Sequence, residues 1–182
     1  MLQKTLFRAI IIFTIVIISF LFLHSFLQWK TILNEELALS LPAAVYISPN
    51  QDLQFSYADL FYTSAQHWED GELQYHVDLL TNREDVHGYV EVWNTNTSLS
   101  VFLEKTKAAF SSTVRNFKES FPSNDYNKRV WEYEIADGIH VKQYFSQEGE
   151  KLLVVSLFVP TFLWSEKYNA MFEEIQTSVT FQ

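Results

Sequence analysis

The chain is 182 residues long and contains no cysteine, which excludes disulfide bonds, thiolate catalysis and cysteine-ligated metal sites. Residues 31–182 hold ten of the 13 Lys and Arg residues and all 22 Asp and Glu residues, so this part carries a formal net charge of −12. So acidic a surface argues against nucleic acid as a partner and against docking on anionic lipid.

The first predicted element is a membrane-spanning helix. Residues 9–27 contain no Asp, Glu, Lys, Arg, Pro or Gly. With the apolar residues beside it, this run is long enough to cross a hydrocarbon core of roughly 30 Å at about 1.5 Å per residue. Lys4 and Arg8 precede the run. The positive-inside bias therefore predicts a single-pass protein of the cell membrane, with a cytoplasmic amino terminus and the remainder extracytoplasmic.

A cleaved signal peptide is the alternative interpretation of this run. The apolar region is longer than the 7–15 residues that are typical of such signals, and the residues directly after it make a poor cleavage site. An uncleaved signal anchor is therefore favoured. The predicted chain comprises, in order, a short cytoplasmic amino terminus at 1–8, a transmembrane signal-anchor helix at 9–29, a juxtamembrane linker at 30–48 and an extracytoplasmic domain at 49–182.

The first half of the outer domain shows strand patterns. Residues 53–57 predict an early strand, and an irregular loop is expected over residues 58–68. Apolar and polar residues then alternate over 72–80 and again over 86–93. Alternation with a period of two is typical of half-buried antiparallel strands, so these two runs predict a β-hairpin with Arg83 near the centre of its turn.

The second half of the domain begins with a predicted helix. Apolar residues recur at helical spacing from Leu99 to Phe117, which indicates an amphipathic helix of about five turns with a potential break at residues 111–113. A meander of three strands, a second helix and a short edge strand are predicted to follow, at residues 130–136, 139–146, 152–159, 163–176 and 179–181. The fold class is therefore α+β: an antiparallel sheet of about six strands flanked by two main helices, preceded by one transmembrane helix.

The polar face of the predicted hairpin carries the only group of side chains that suggests chemistry. The expected register places His76 opposite Glu91 and Asp78 opposite Tyr89, with His87 on the same face. Cross-strand neighbours lie about 5 Å apart, which is close enough for a His–carboxylate pair or a divalent metal site. The competing interpretation, a solvated sheet face with a stabilising charge pair, is favoured. No catalytic residue, cofactor or metal site is assigned, and these two histidines and two carboxylates are the only metal candidates.

Three segments of the sequence resemble the PsbP/Mog1-like family. Residues 150–157 look like its penultimate strand, residues 98–110 look like its middle helix, and residues 164–181, with Ile175, Ser178 and Phe181, look like its closing helix and carboxyl end. The resemblance implies an antiparallel sheet sandwiched by helices. Because that fold hosts binding and assembly proteins, the resemblance also implies a role without catalysis.

These observations lead to one function hypothesis and two alternatives. The favoured hypothesis is a single-pass membrane-anchored extracytoplasmic binding or assembly module that is not an enzyme. It contacts the lipid bilayer through residues 9–29 and binds an envelope or membrane protein, and the absence of cysteine favours a bacterial envelope. The first alternative is a metal-dependent or acid/base envelope enzyme that uses the polar face of the hairpin. The second is a structural anchor subunit of a membrane complex.

Overall fold

The computed structural model describes residues 43–69, 71–82, 85–110, 113–122 and 125–181. The predicted transmembrane helix at 9–29 and most of the predicted linker lie outside these ranges. Neither helix within the described ranges is long and apolar enough to cross a bilayer.

Ten strands and two α-helices make up the described part of the chain. The strands are β1 Ala43–Ile47, β2 Leu53–Ala58, β3 Tyr62–His67, β4 Leu73–Leu80, β5 His87–Asn94, β6 Val114–Ser120, β7 Lys128–Ile135, β8 Ile139–Glu148, β9 Lys151–Pro160 and β10 Thr180–Phe181. The helices are α1 Leu99–Phe110 and α2 Glu166–Ser178, and a short 3-10 turn covers Thr161–Leu163.

The strands form two antiparallel sheets. Seven of them pair in the order β3-β4-β5-β9-β8-β7-β6, and the other three pair in the order β1-β2-β10. Strand β9 lies at the centre of the large sheet, and both of its faces are buried. Its almost uninterrupted apolar sequence is explained by this position, because a strand covered on both sides has no solvent-facing positions to fill with polar residues.

The two faces of the large sheet are covered by different elements. Helix α1 packs Leu99 and Leu103 into one core cluster with Trp131 and Phe145 of the sheet. Helix α2 contacts β9 and β2 and buries Met171, Phe172 and Ile175. The prediction of an α+β fold with an antiparallel sheet and two main helices is confirmed for the described residues.

The predicted helix from Leu99 to Phe117 is wrong in its second half. Helix α1 ends at Phe110, and the chain continues as the edge strand β6. The pairing of β6 with β7 shifts between Arg115 and Lys118, and Asn116 has a φ of 53°. This bulge lets Val114 and Phe117 contact the same core cluster although they are three residues apart. Their spacing therefore imitates that of a helix.

Two smaller differences concern edge strands. Residues 62–67, which were expected to belong to a loop, form β3, whose side chains are mostly exposed and so lack the alternation that signals a strand. The predicted terminal edge strand exists as β10, but it pairs with β2 in the small sheet instead of extending the large one.

Candidate functional site

The hairpin predicted at residues 72–93 consists of β4 and β5, in the expected register. His76 is opposite Glu91, Asp78 is opposite Tyr89, and His87 is opposite Leu80. This register is enforced by the buried face of the hairpin, since a slip of one residue would move its apolar side chains into solvent. Because the apolar side chains of the hairpin fill its buried face, the same register places the candidate residues together on the opposite, polar face.

His76 is held between two carboxylates. Its Nδ1 lies 2.8 Å from Glu91 Oε1, and its Nε2 lies 2.9 Å from Asp78 Oδ1. Carboxylate oxygens only accept hydrogen bonds, so the two contacts together favour a ring with both nitrogens protonated. Burial opposes that charge, but the hydrogen bonds and negative charges of Glu91 and Asp78 outweigh it and raise the pKa of His76.

Aromatic side chains surround this pair of contacts. The Tyr89 ring stacks on His76 with centroids 5.3 Å apart, and Trp93 Nε1 donates a hydrogen bond of 3.0 Å to Glu91 Oε2. Both carboxylate oxygens of Glu91 therefore have a hydrogen-bond partner, which holds the side chain in one orientation. The cluster is a closed arrangement in which each ring nitrogen of His76 already has an acceptor.

His87 does not join this cluster. Its ring stacks on Phe158 of β9 with centroids 4.8 Å apart and an interplanar angle of 5°. Burial lowers the pKa of His87, although the negative charge of Asp78 acts in the opposite direction. Within the described ranges, no three or more His, Asp or Glu residues are grouped so that they could hold a metal ion. The metal site on the hairpin stays an untested alternative to the favoured charge pair.

A buried polar network continues from the hairpin across the same face of the sheet. Gln143 Oε1 accepts a hydrogen bond of 2.9 Å from the Tyr133 hydroxyl, and Gln143 Nε2 donates to Ser156 Oγ at 2.9 Å and to Tyr89 Oη at 3.3 Å. Gln143 and Ser156 are only 5% and 1% exposed. Sequence reasoning missed the network, although two polar residues at inward strand positions were a signal for it.

A cleft of about 330 Å³ lies at the opposite end of the sheet, beside the bulge of β6. Its polar lining comes from Asn116, Lys118, Glu132, Glu134 and His140, on strands β6, β7 and β8. Sequence reasoning missed this cleft because it assigned the first residues of β6, 114–117, to a helix. Without β6 there is no neighbour to enclose the two carboxylates of β7.

No family model and no curated protein matches the sequence. The structure is similar to several solved structures, among them the following two. Cyanobacterial PsbP (CyanoP) from Synechocystis sp. PCC 6803 is 12% identical over 77% of this chain and 92% of that chain, with a TM-score of 0.52. The Ran-binding protein Mog1p of Saccharomyces cerevisiae is 9% identical over 78% of this chain and 96% of that chain, with a TM-score of 0.54. The described domain therefore has the PsbP/Mog1-like fold, as its sequence pattern predicted.

Proposed function

We propose that this protein is a membrane-anchored extracytoplasmic binding module without catalytic activity. Its partner would be another protein of the envelope or membrane. Residues 9–27 would hold the chain in the bilayer, and the domain with the PsbP/Mog1-like fold would present the binding surface. The yeast protein with the same fold is a Ran-binding protein, which supports a binding role by analogy of fold.

The closed geometry of His76 is the observation that carries this proposal. A general base needs a neutral nitrogen within reach of a substrate proton. In the hairpin, both nitrogens of His76 already face the acceptors Glu91 and Asp78, and the pKa of His76 is raised. The imidazole therefore acts as a positive charge that holds two carboxylates together. Such a group stabilises a surface, and because an acceptor already faces each ring nitrogen, it has no free nitrogen that could act as a base.

Cysteine labelling in intact cells tests the location. Because the chain has no cysteine, each variant with one introduced cysteine reports on a single site. We expect a membrane-impermeant maleimide to label Glu148→Cys, at an exposed position, and to leave Gln3→Cys unlabelled until the cells are opened. If Gln3→Cys alone were labelled in intact cells, the orientation would be the opposite of the one proposed. Recovery of the chain in the soluble fraction would refute the membrane anchor.

Photocrosslinking from introduced cysteines tests the binding role. Ile47, Tyr126 and Phe162 are exposed apolar side chains, with exposed fractions of 54%, 79% and 82%, on three separate segments. Each is replaced by cysteine and labelled with a benzophenone maleimide in cells that make the protein. A binding module should give a discrete adduct from one or two of these positions, and none from Glu148→Cys. The absence of adducts, or the same adducts from all four positions, would contradict the proposal.

An anchor replacement separates this proposal from a structural anchor subunit. When residues 9–27 are exchanged for an unrelated membrane-spanning sequence, a binding module should keep its adducts. Loss of the adducts, with the location unchanged, would instead assign the specific contact to the anchor helix.

A further inference from the structure

The cleft beside β6 contains a buried imidazole that lacks a hydrogen-bond partner. His140 is 8% exposed, and its ring stacks on Trp164 with centroids 3.8 Å apart. Its Nε2 is buried and makes no hydrogen bond within the described part of the chain, and Glu132 Oε1 lies 3.4 Å away. A buried polar atom without a partner is costly, so such an atom at the wall of a cleft indicates a ligand that supplies the missing contact.

Two carboxylates face the same cleft. Glu132 and Glu134 are two residues apart on β7 and therefore point to the same side of the sheet, and Glu134 is paired directly with His140. Glu134 Oε2 accepts a hydrogen bond of 2.9 Å from Asn116 Nδ2, which leaves its other oxygen as an acceptor. The lining thus offers mainly acceptors.

The charge of the cleft favours a cation. Burial lowers the pKa of His140, Glu132 and Glu134 act in the opposite direction, and the positive charges of Lys118 and Lys142 lower it further, so the ring stays neutral. With Lys118 as the one basic residue among those lining the cleft, the lining carries a net charge of −1. Its acceptors are spread around about 330 Å³, which is room for a cationic group with its carbon chain.

We propose that this cleft binds a primary alkylammonium group, whose N–H donors bond to Glu132, Glu134 and Nε2 of His140. An ammonium has three donors and no acceptor, so it complements three acceptors of this kind. The group would come from a free amine or from a lysine side chain. This inference deepens the binding role proposed above and rests on it.

Titration of the full chain in mild detergent micelles tests the site. The probes are 1,5-diaminopentane and the N-acetylated amide of lysine, followed by calorimetry and by the fluorescence of Trp164 and the other tryptophans. The control probe is pentyltrimethylammonium, which has the same single positive charge as the lysine derivative but no N–H donor. We expect saturable binding of at least one primary amine and none of the trimethyl compound. Binding of the diamine alone indicates a free amine as the ligand, and binding of the lysine derivative indicates a protein.

Variants identify the site. Glu132→Gln and Glu134→Gln keep the shape of the side chain and remove its charge, and each should weaken binding at least tenfold. Glu148→Gln, at an exposed position outside the cleft, should leave it unchanged. Equal binding of the trimethyl compound, equal weakening by Glu148→Gln, no saturable binding, or binding of Zn²⁺ in place of the amines would each overturn the inference. None of these outcomes changes the adducts expected from the photocrosslinking experiment, which starts from residues outside the cleft. The amine site can therefore be refuted while the proposed binding role stands.

Discussion

Gln143 is the residue whose replacement should reveal most about the core. It is 5% exposed and joins three strands of the large sheet through side-chain hydrogen bonds to Tyr133, Ser156 and Tyr89. Leucine has a similar volume but no polar atom. The Gln143→Leu variant therefore removes the hydrogen bonds and leaves the packing of the side chain nearly unchanged.

The expected loss follows from the hydrogen bonds. Two of them are 2.9 Å long, and the third, to Tyr89 Oη, is 3.3 Å long and weaker. A buried hydrogen bond contributes about 1 kcal/mol on balance, so Gln143→Leu should lower the free energy of unfolding by roughly 2–3 kcal/mol. For a domain of about 140 residues, 1 kcal/mol corresponds to about 3 °C, and Tm should fall by about 6–9 °C.

Thermal unfolding of the full chain in detergent micelles, followed by tryptophan fluorescence, measures this loss. Gln66→Leu is the matched control, because Gln66 is exposed on the edge strand β3. The double variant Tyr133→Phe/Gln143→Leu should unfold about 3 °C above the temperature that the two single variants predict additively, since both remove the same hydrogen bond. A Tm for Gln143→Leu equal to that of Gln66→Leu, or strict additivity in the double variant, would refute the reasoning.

Three further predictions concern stability, and each is measured by the same thermal unfolding. A methyl group on Gly88 would lie 2.5 Å from a backbone carbonyl oxygen of β9, so Gly88→Ala should lower the free energy of unfolding by roughly 1–3 kcal/mol. A Gly88→Ala variant with the same Tm as wild type would refute this steric conflict. The pKa of His76 is raised in the folded state, so protonated His76 contributes its full stabilisation below pH 6.5 and loses it as the pH rises through the folded-state pKa. The difference in Tm between wild type and His76→Gln should therefore shrink over that range, and a difference independent of pH would refute this coupling between protonation and stability. Tyr75 is buried, and its hydroxyl proton is shared between the two oxygens of Asp52, each 2.7 Å from Oη. Burial and this contact with Asp52 raise the pKa of Tyr75 to about 12. Tyr75→Phe should cost roughly 1–2 kcal/mol, whereas Tyr126→Phe, at a residue 79% exposed, should cost nothing measurable.

The hairpin shows how far sequence reasoning reaches. The pairing of His76 with Glu91 was predictable, because the alternation of apolar residues excludes registers shifted by one residue and the polar connection places the turn near Arg83. The second contact of His76, to Asp78 on its own strand, was not predictable. It depends on the rotamers of both side chains, and side-chain rotamers are set by tertiary packing, such as the stacking of the Tyr89 ring on His76.

Strand β6 shows where sequence reasoning fails. Val114 and Phe117 are spaced as in a helix, and the lysines and arginine around them complete an amphipathic pattern. The strand forms because β7 offers an unpaired edge and because a bulge at Asn116 returns Phe117 to the core beside Trp131. Neither the edge nor the bulge has a local signature in the sequence.

The sequence by itself determined the α+β class, the hairpin register, the central position of β9 and the prediction of a membrane anchor. These features follow from local periodicity and from the length of apolar runs, which act on neighbouring residues. Only the tertiary structure decided the position of β6, the closed contacts of His76 and the cleft that contains His140. Each of these depends on residues far apart in the chain, whose meeting is governed by sheet topology and side-chain packing.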